Sequence, residues 1–496
     1  MACPLLRTGR KGAVGLIVAL GSWGLVVSAW FGTPSAATAA PPDNAAGAAT
    51  GNPAGDVYPI DLPTALRLAN AENLQIALAR EQIRQAWAQL DRAQVLWLPS
   101  LRAGMNYDKH GGFVQRGSTG VMTEVSRDCF YAGAGAGVVE TGTPAVPGVY
   151  ANFQMADAIF QPLAARQAVG AQQWAATAVT NDILLQVSQS YSKLLQAAGD
   201  VVIALDAQRD AEELAVLTKN YASSGQGLQS DADRARTELA IRRNDVIRAQ
   251  ETLGVVSTRL AELLRLDPRV KLAPSDPSVV PLELVKLNSP VGDLISQGLT
   301  CRPELSEARY LVGVAVERMH REQCAILLPS VILGASYGDF AGGVGSGFDN
   351  SGGRLETDVI AFWEIRNLGL GERAARAEAR SVLQQAHISQ VAMMDRVARQ
   401  VTEAQIQVVN RAREIPTLQE AVVSATASQK RNLQRIREVQ GLPIEVIQSN
   451  QALALARSEH LRALSDYNSA QFQLYWAVGW PPRPADAAVM GIPDAR

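Results

Sequence analysis

The chain of 496 residues carries 46 Lys+Arg against 48 Asp+Glu, a formal net charge of −2. That balance excludes a protein whose main task is to neutralise nucleic-acid phosphates, so no nucleic-acid partner is expected. With 47% hydrophobic and 19% charged residues the chain is too apolar for bulk disorder, and only 5% aromatics favours closely packed helices over a large mixed core.

Arg7, Arg10 and Lys11 precede an uncharged apolar run from Ala13 to Ala29, and Ala37-Thr38-Ala39 fits a signal-peptidase site. Residues 1–40 therefore read as a secretory signal, and the Pro-, Gly- and Ala-rich stretch 41–59 as a flexible linker. No uncharged run of about 20 residues follows, which leaves an exported soluble protein or an outer-membrane β-barrel.

The remainder repeats itself once. AQVLWLPSLRAGMNY (Ala93 to Tyr107) matches QCAILLPSVILGASY (Gln323 to Tyr337) at an offset of 230, and Gly227 to Asp231 matches Gly441 to Glu445 at an offset of 214. The period is too long for a solenoid repeat and reads as an internal duplication, with repeats at 60–280 and 281–480 and a tail at 481–496.

Helices are predicted over 64–98, 163–222 and 228–266 in the first repeat and over 292–328, 370–440 and 443–478 in the second. Leu184, Val187, Tyr191, Leu194, Ala198, Val201 and Leu205 step as a heptad seam. Val391, Met394, Ala398, Val401 and Val408 continue the idea, interrupted by Gln405. Gly225 and Gly227 break the first long pair into a hairpin, and Gly441 with Pro443 breaks the second. The two shorter helices of each repeat, stacked end to end, match their long partner in length, as a tall cylinder requires. Pro416 should kink the second long helix. Cys301 and Cys324 fall on one predicted helix, about 34 Å apart and too far to pair.

Strands of alternating polarity are predicted at 101–108, 149–155, 331–338 and 355–364, with loops at 109–148 and 339–353. Leu101, Met105 and Tyr107 share one face, as do Val331, Leu333 and Tyr337, and Val359 with Trp363; apolar out and polar in suits a membrane barrel, in which these side chains would face lipid, and a half-buried sheet on a soluble core gives the same alternation. Four strands cannot close a barrel when the smallest have about eight, and an open edge is not tolerated in lipid. Several chains must contribute, and three would give twelve strands.

The doubled helix–Leu-Pro-Ser–strand pattern, NLGLGERAARAEA (Asn367 to Ala379), the turn sequences SDADRA and IEVIQS, and YNSAQFQLYWAVG (Tyr467 to Gly479) resemble the TolC family of outer-membrane efflux proteins over about 60–480. The resemblance implies a mainly α-helical protein with a small transmembrane β part. Long helical hairpins would form a periplasmic α-barrel, and four strands per chain would complete a 12-stranded barrel in a homotrimer in outer-membrane lipid. It implies a passive exit duct that docks to a periplasmic adaptor and an inner-membrane pump and exports small molecules or drugs; the exit duct of a type I protein secretion system shares the fold. A pore-less periplasmic coiled-coil adaptor or scaffold is a weaker rival, because two hairpins and four alternating strands are present.

The resemblance also implies a periplasmic gate at the hairpin ends. The matching acids are Asp231 and Glu445; a further family acid falls at Gln448, a departure from a double carboxylate ring. Three copies of each acid near one axis would favour cations and repel one another. Arg234 and Arg236, close to Asp231, are candidates for hairpin-to-hairpin links. No catalytic group or cofactor is expected: Glu317-x-x-His320 has the spacing of a di-iron pair but occurs once, where such sites need two copies, and the Gly-rich run 342–347 lacks the Lys-Ser/Thr of a phosphate loop.

Overall fold

A computed structural model describes residues 57–98, 100–115, 120–135, 149–276, 278–344, 351–438 and 440–482. The expected signal and most of the linker lie outside these residues. The end of the linker does not: Val57–Ile60 is a strand, β1, paired in parallel with β5 (Lys271–Pro274).

The duplication extends to almost every helix. The first repeat holds α1 (Leu62–Glu72), α2 (Leu74–Gln94), α3 (Met155–Ser223) and α4 (Gln229–Leu263). The second holds α5 (Val291–Cys301), α6 (Pro303–Cys324), α7 (Leu370–Arg437) and α8 (Pro443–Ala477). Corresponding helices agree in length to within one residue: 11 and 11, 21 and 22, 69 and 68, 35 and 35. α2 and α4 pack along one side of α3, while α6 and α8 fill the space between α3 and α7. The result is a strip of four rods, two continuous and two stacked end to end, in the order α2/α4, α3, α6/α8, α7.

Each stacked rod is joined by a buried polar residue at a helix break. Asn73 separates α1 from α2; its Oδ1 accepts from Gln75 N–H (2.9 Å) and its Nδ2 donates to Leu263 O at the end of α4 (2.9 Å). Arg302 separates α5 from α6 and is only 3% exposed. Its guanidinium lies 3.8 Å from the ring centre of Trp476 near the end of α8 and pairs with Glu304 through Nε and Nη2 (2.9 and 2.7 Å). Nη2 also donates to Gln400 of α7 (3.2 Å), and Trp476 Nε1 donates to Asp182 of α3 (2.8 Å). The main hydrophobic core surrounds these joints and includes Leu66, Ile183, Val187, Leu260, Val401 and Phe472. The one-helix expectations for 64–98 and 292–328 are thus corrected, and Cys301 and Cys324 stand on different helices.

The seam on α3 is buried from Leu184 to Leu194 and opens by Leu205, which is exposed. On α7 the buried set is Val397, Val401, Ala404 and Val408, whereas Val391 and Met394 are exposed. Gln405 interrupts the pattern because its amide donates to Ser289 O (2.9 Å). α7 runs unbroken through Pro416, and α3 begins at Met155, seven residues ahead of Pro162.

The larger sheet holds β2 (Ser100–Gln115), β3 (Met122–Gly135), β4 (Val149–Gln154), β6 (Ser330–Val344) and β7 (Ser351–Phe362). Much of the stretch expected as loop at 109–148, and both ends of 339–353, are strand. Yet the number of lanes is four. On β2, Leu101 pairs with Val149 and Arg102 with Gly135; on β6, Ala335 pairs with Val149 and Ser336 with Gly135. β3 and β4 are therefore collinear and share one lane between β2 and β6. The register places Leu101, Met105, Tyr107, Val331, Leu333, Tyr337 and Val359 on the same face. Of these, Tyr107, Tyr337 and Val359 are exposed, as is Trp363 just beyond β7. The outer edge of β2 and that of β7 have no partner strand among the described residues.

Candidate functional site

The strands and the hairpin turns lie at opposite ends of the rods, and the turns form the candidate gate. They are equivalent residue for residue. α3 ends at Ser223 and α7 at Arg437; the next helices start at Gln229 and Pro443, each pair offset by 214. Gly225 has φ 75° and its N–H donates to Ala222 O (3.2 Å), while Gln226 N–H donates to Tyr221 O (2.9 Å), closing the helix with a left-handed residue. Gln440 N–H donates to Arg435 O in the same way (2.9 Å). Gly227 and Gly441 are required for a different reason. A Cβ on Gly227 would lie 3.0 Å from Tyr221 Cβ, and one on Gly441 would lie 3.0 Å from Ile436 N.

Asp231 and Glu445 each occupy the third position of their helix, where a carboxylate meets the positive end of the helix dipole. Glu445 Oε2 accepts from Leu442 N–H (3.5 Å) and pairs with Arg435 (3.1 Å). Asp231 pairs with Arg234 at 3.4 Å. Gln448, exposed, holds in the second hairpin the place of Arg234 in the first. Arg234 is thus bound within its own helix, and Arg236 is exposed with no ion pair among the described residues.

Other groups join the hairpins. Tyr221 Oη donates to the carbonyls of Ile436 and Arg437 (3.1 and 3.2 Å). Arg437 pairs with Glu213, and the Gln451 amide donates to both oxygens of buried Glu238 (3.1 Å each). Beneath them Leu214, Ala235, Ile436, Val446 and Ile447 form a small core shared by both hairpins. Sequence reading misses Tyr221: its counterpart in the repeat is Arg435, so the duplication does not flag it. Higher on α3, Asp200 accepts from Ser458 (2.9 Å) and Asp210 from Gln429 (3.5 Å), both on the second hairpin. Burial raises the pKa of each carboxyl above its ordinary value. Burial, with Glu304 nearby, also raises that of Asp182 at the Arg302 joint.

One face of the strip is uncovered and polar. Gln189, Gln400, Gln407, Asp466, Ser469 and Gln473 line an open cavity of about 370 Å³ on α3, α7 and α8. Asp466, Ser469 and Gln473 stand opposite Asn468 and Gln471 on α8, at 100° per residue. The latter two accept from the backbone N–H groups of Leu282 (2.8 Å) and of Leu284 and Val285 (3.2 and 3.0 Å), so the segment before α5 covers the far side. Nearer the strands, a cavity of about 760 Å³ is lined by α2, α3, α6 and α7, with Arg92, Arg318 and Glu378 among its residues. Its α7 residues, Ala375, Glu378 and Val382, project on the same side as Gln400 and Gln407. Among the described residues no group of three or more His, Cys, Asp or Glu could hold a metal ion, and no helix is long and apolar enough to cross a membrane.

No family model and no curated protein matches this sequence. Solved structures do match over most of the chain. The outer-membrane channel OprN superposes with a TM-score of 0.68 at 18% identity, covering 85% of this chain and 91% of its own. The Campylobacter jejuni CmeC outer-membrane channel gives 0.68 at 14% identity, covering 86% and 88%. The open-state Neisseria gonorrhoeae MtrE outer-membrane channel gives 0.66 at 17% identity, covering 85% and 90%. The chain has the fold of these outer-membrane channels, with the long helices and the four-lane sheet expected from the sequence.

Proposed function

We propose that this chain is one subunit of a homotrimeric outer-membrane export channel, the passive exit duct of a tripartite efflux pump. The observation that carries the reading is the open strip. The sheet ends in two unpaired edges, β2 and β7, and the helical wall ends in two rods with exposed apolar side chains. These are Leu78, Trp87 and Ile241 on α2/α4, and Ile388, Val391 and Ile406 on α7. Joining one edge to the other in neighbouring copies satisfies both, and three copies of four lanes and four rods close a cylinder at twelve of each. An unpaired edge in lipid would leave backbone groups unsatisfied at several kcal/mol apiece, which favours closure.

In this reading the polar face forms the duct wall and Tyr107, Tyr337, Val359 and Trp363 face lipid. Asp231 and Glu445 ring the periplasmic mouth, with Tyr221, Arg437 and Gln451 holding the hairpins together. A periplasmic adaptor and an inner-membrane pump would supply and select the cargo, small molecules or drugs.

Single-channel recording tests this on detergent-purified protein whose oligomer mass is measured in the same preparation. A trimer with small, cation-selective conductance, blocked by divalent cations from the hairpin side, is expected. Asp231→Ala with Glu445→Ala should weaken that block at least tenfold. A monomer without conductance would overturn the channel; unchanged block would remove only the gate assignment.

A further inference from the structure

The link between β7 and α7 is strained and projects an apolar side chain into the open. Asn367, Leu368 and Gly369 are all left-handed, with φ of 49°, 59° and 88°. For a leucine this backbone is sterically disfavoured, because its Cβ crowds the neighbouring carbonyl oxygen. Leu368 nevertheless makes almost no contact, being 96% exposed.

The conformation is enforced from beneath by charged groups. Arg366 N–H and Nε both donate to Glu372 Oε1 (2.7 and 3.2 Å), and its Nη2 donates to Glu322 Oε2 (3.0 Å). Arg376 Nε donates to Glu322 O (3.1 Å). A Cβ on Gly371 would lie 3.0 Å from Arg366 O, so the turn is closed tightly against this brace. A polar brace that holds a strained leucine away from the protein serves something outside it.

The surroundings say what that is. Ile365 and Leu370 flank Leu368 and are also exposed, as are Trp97 and Leu98 ahead of β2 and Leu327 ahead of β6. Exposed apolar residues therefore mark three strand–helix junctions at one level of the molecule. They continue the apolar strand face that carries Val359 and Trp363. A neighbouring copy could cover the edge junctions. Leu327 stands on an inner lane flanked on both sides by this chain's own rods, out of reach of a copy docked at an edge. Trp at such a level suits a membrane–water interface. Arg373, one turn into α7, is exposed with no ion pair among the described residues, placed for a phosphate group.

We propose that the Asn367–Gly369 loop is a wedge that seats Leu368 in the inner leaflet of the outer membrane, with phospholipid acyl chains as its occupant, and so fixes the depth of the sheet. This rests on the membrane reading above, and the test separates the two. Leu368→Cys, Val359→Cys and Gln226→Cys, each in the full chain with Cys3, Cys129, Cys301 and Cys324 replaced by Ser, are labelled with a polarity-sensitive fluorophore and reconstituted in phosphatidylethanolamine/phosphatidylglycerol vesicles, with and without acyl-chain bromination. The label at Leu368 should be blue-shifted and quenched at least twofold by brominated lipid, like that at Val359 and unlike that at Gln226. Quenching at Val359 alone would overturn the wedge while leaving the barrel in place. A shielded, unquenched label at Leu368→Cys, together with bis-maleimide cross-linking of the unlabelled Leu368→Cys thiol to Leu98→Cys of a second copy, would assign the loop to a subunit contact instead. Failure at both positions would sink the membrane reading itself. Leu368→Asn separates wedge from strain, since Asn accepts the left-handed backbone. It should keep or raise the melting temperature while moving the emission of the Val359→Cys label toward longer wavelength.

Discussion

Arg302 shows how a single side chain can set the geometry of two rods. It lies buried between a carboxylate, an indole and an amide from three helices, so its removal leaves Glu304, only 15% exposed, without its partner. Arg302→Met should destabilise the helical part by about 3–5 kcal/mol, the usual cost of breaking a buried pair from one side. Adding Glu304→Gln should recover a large part of that loss, as read from denaturant midpoints of both variants. Pro303 at the first position of α6 makes this break legible, since proline favours helix starts. The apolar periodicity across 292–328 reads straight through it. Asn73 has no such marker: an asparagine between two periodic segments reads as an ordinary helical residue until its capping bond and its reach to Leu263 are seen.

At the scale of elements, the α3–α8 and α3–α7 contacts carry two acids whose pKa burial raises. Asp200 and Asp210 have raised pKa values, caused first by burial and then modified by neighbours. Glu459 pushes Asp200 further up, with Ser458 and Gln196 opposing; Arg457 and Arg209 oppose the rise at Asp210, while Asp206 and Glu213 add to it. A carboxyl whose native pKa lies above its unfolded value binds its proton more tightly when folded. Its contribution to stability therefore falls as pH rises through the native value and recovers as pH is lowered. Protection of the 195–215 backbone against hydrogen exchange, corrected for intrinsic rates, should increase as pH is lowered from neutral toward the ordinary carboxyl value of 3.8. Asp200→Asn should flatten part of that dependence. The heptad steps at Leu184 to Leu194 were readable because that seam is apolar and shared by three rods. The α7 seam was readable only in part, because Gln405 serves the segment before α5 and not the seam.

For the whole molecule, the duplication, the hairpins and the four-lane count are legible in the pattern, and they suffice to predict an open strip of four rods and four strand lanes. The gate acids Asp231 and Glu445 are named from the family resemblance and sit at equivalent positions of the two repeats, whereas nothing in the pattern names the contacts between the hairpins of one chain. They fall on Tyr221, Gln451 and Arg437, which break the twofold correspondence and announce themselves only by contact. Strand ends are not legible in the same way, because Gly-rich sequence at 109–135 reads as loop until cross-strand pairing is available to hold it.

The shared lane of β3 and β4 has a consequence for how this chain can be edited. Gly135 and Val149 are successive on the lane, and alternation carries across the junction, so the lane keeps its register although 13 residues separate the two in sequence. Deleting 136–148 and joining Gly135 to Val149 should yield one continuous strand in the original register, and the variant should assemble to the same oligomer mass with a melting temperature within a few degrees of the parent. Slipped pairing or loss of the oligomer would mean the segment is structural. Otherwise the site behaves as a cassette: two ends already side by side, ready to accept a foreign insert whose own termini meet.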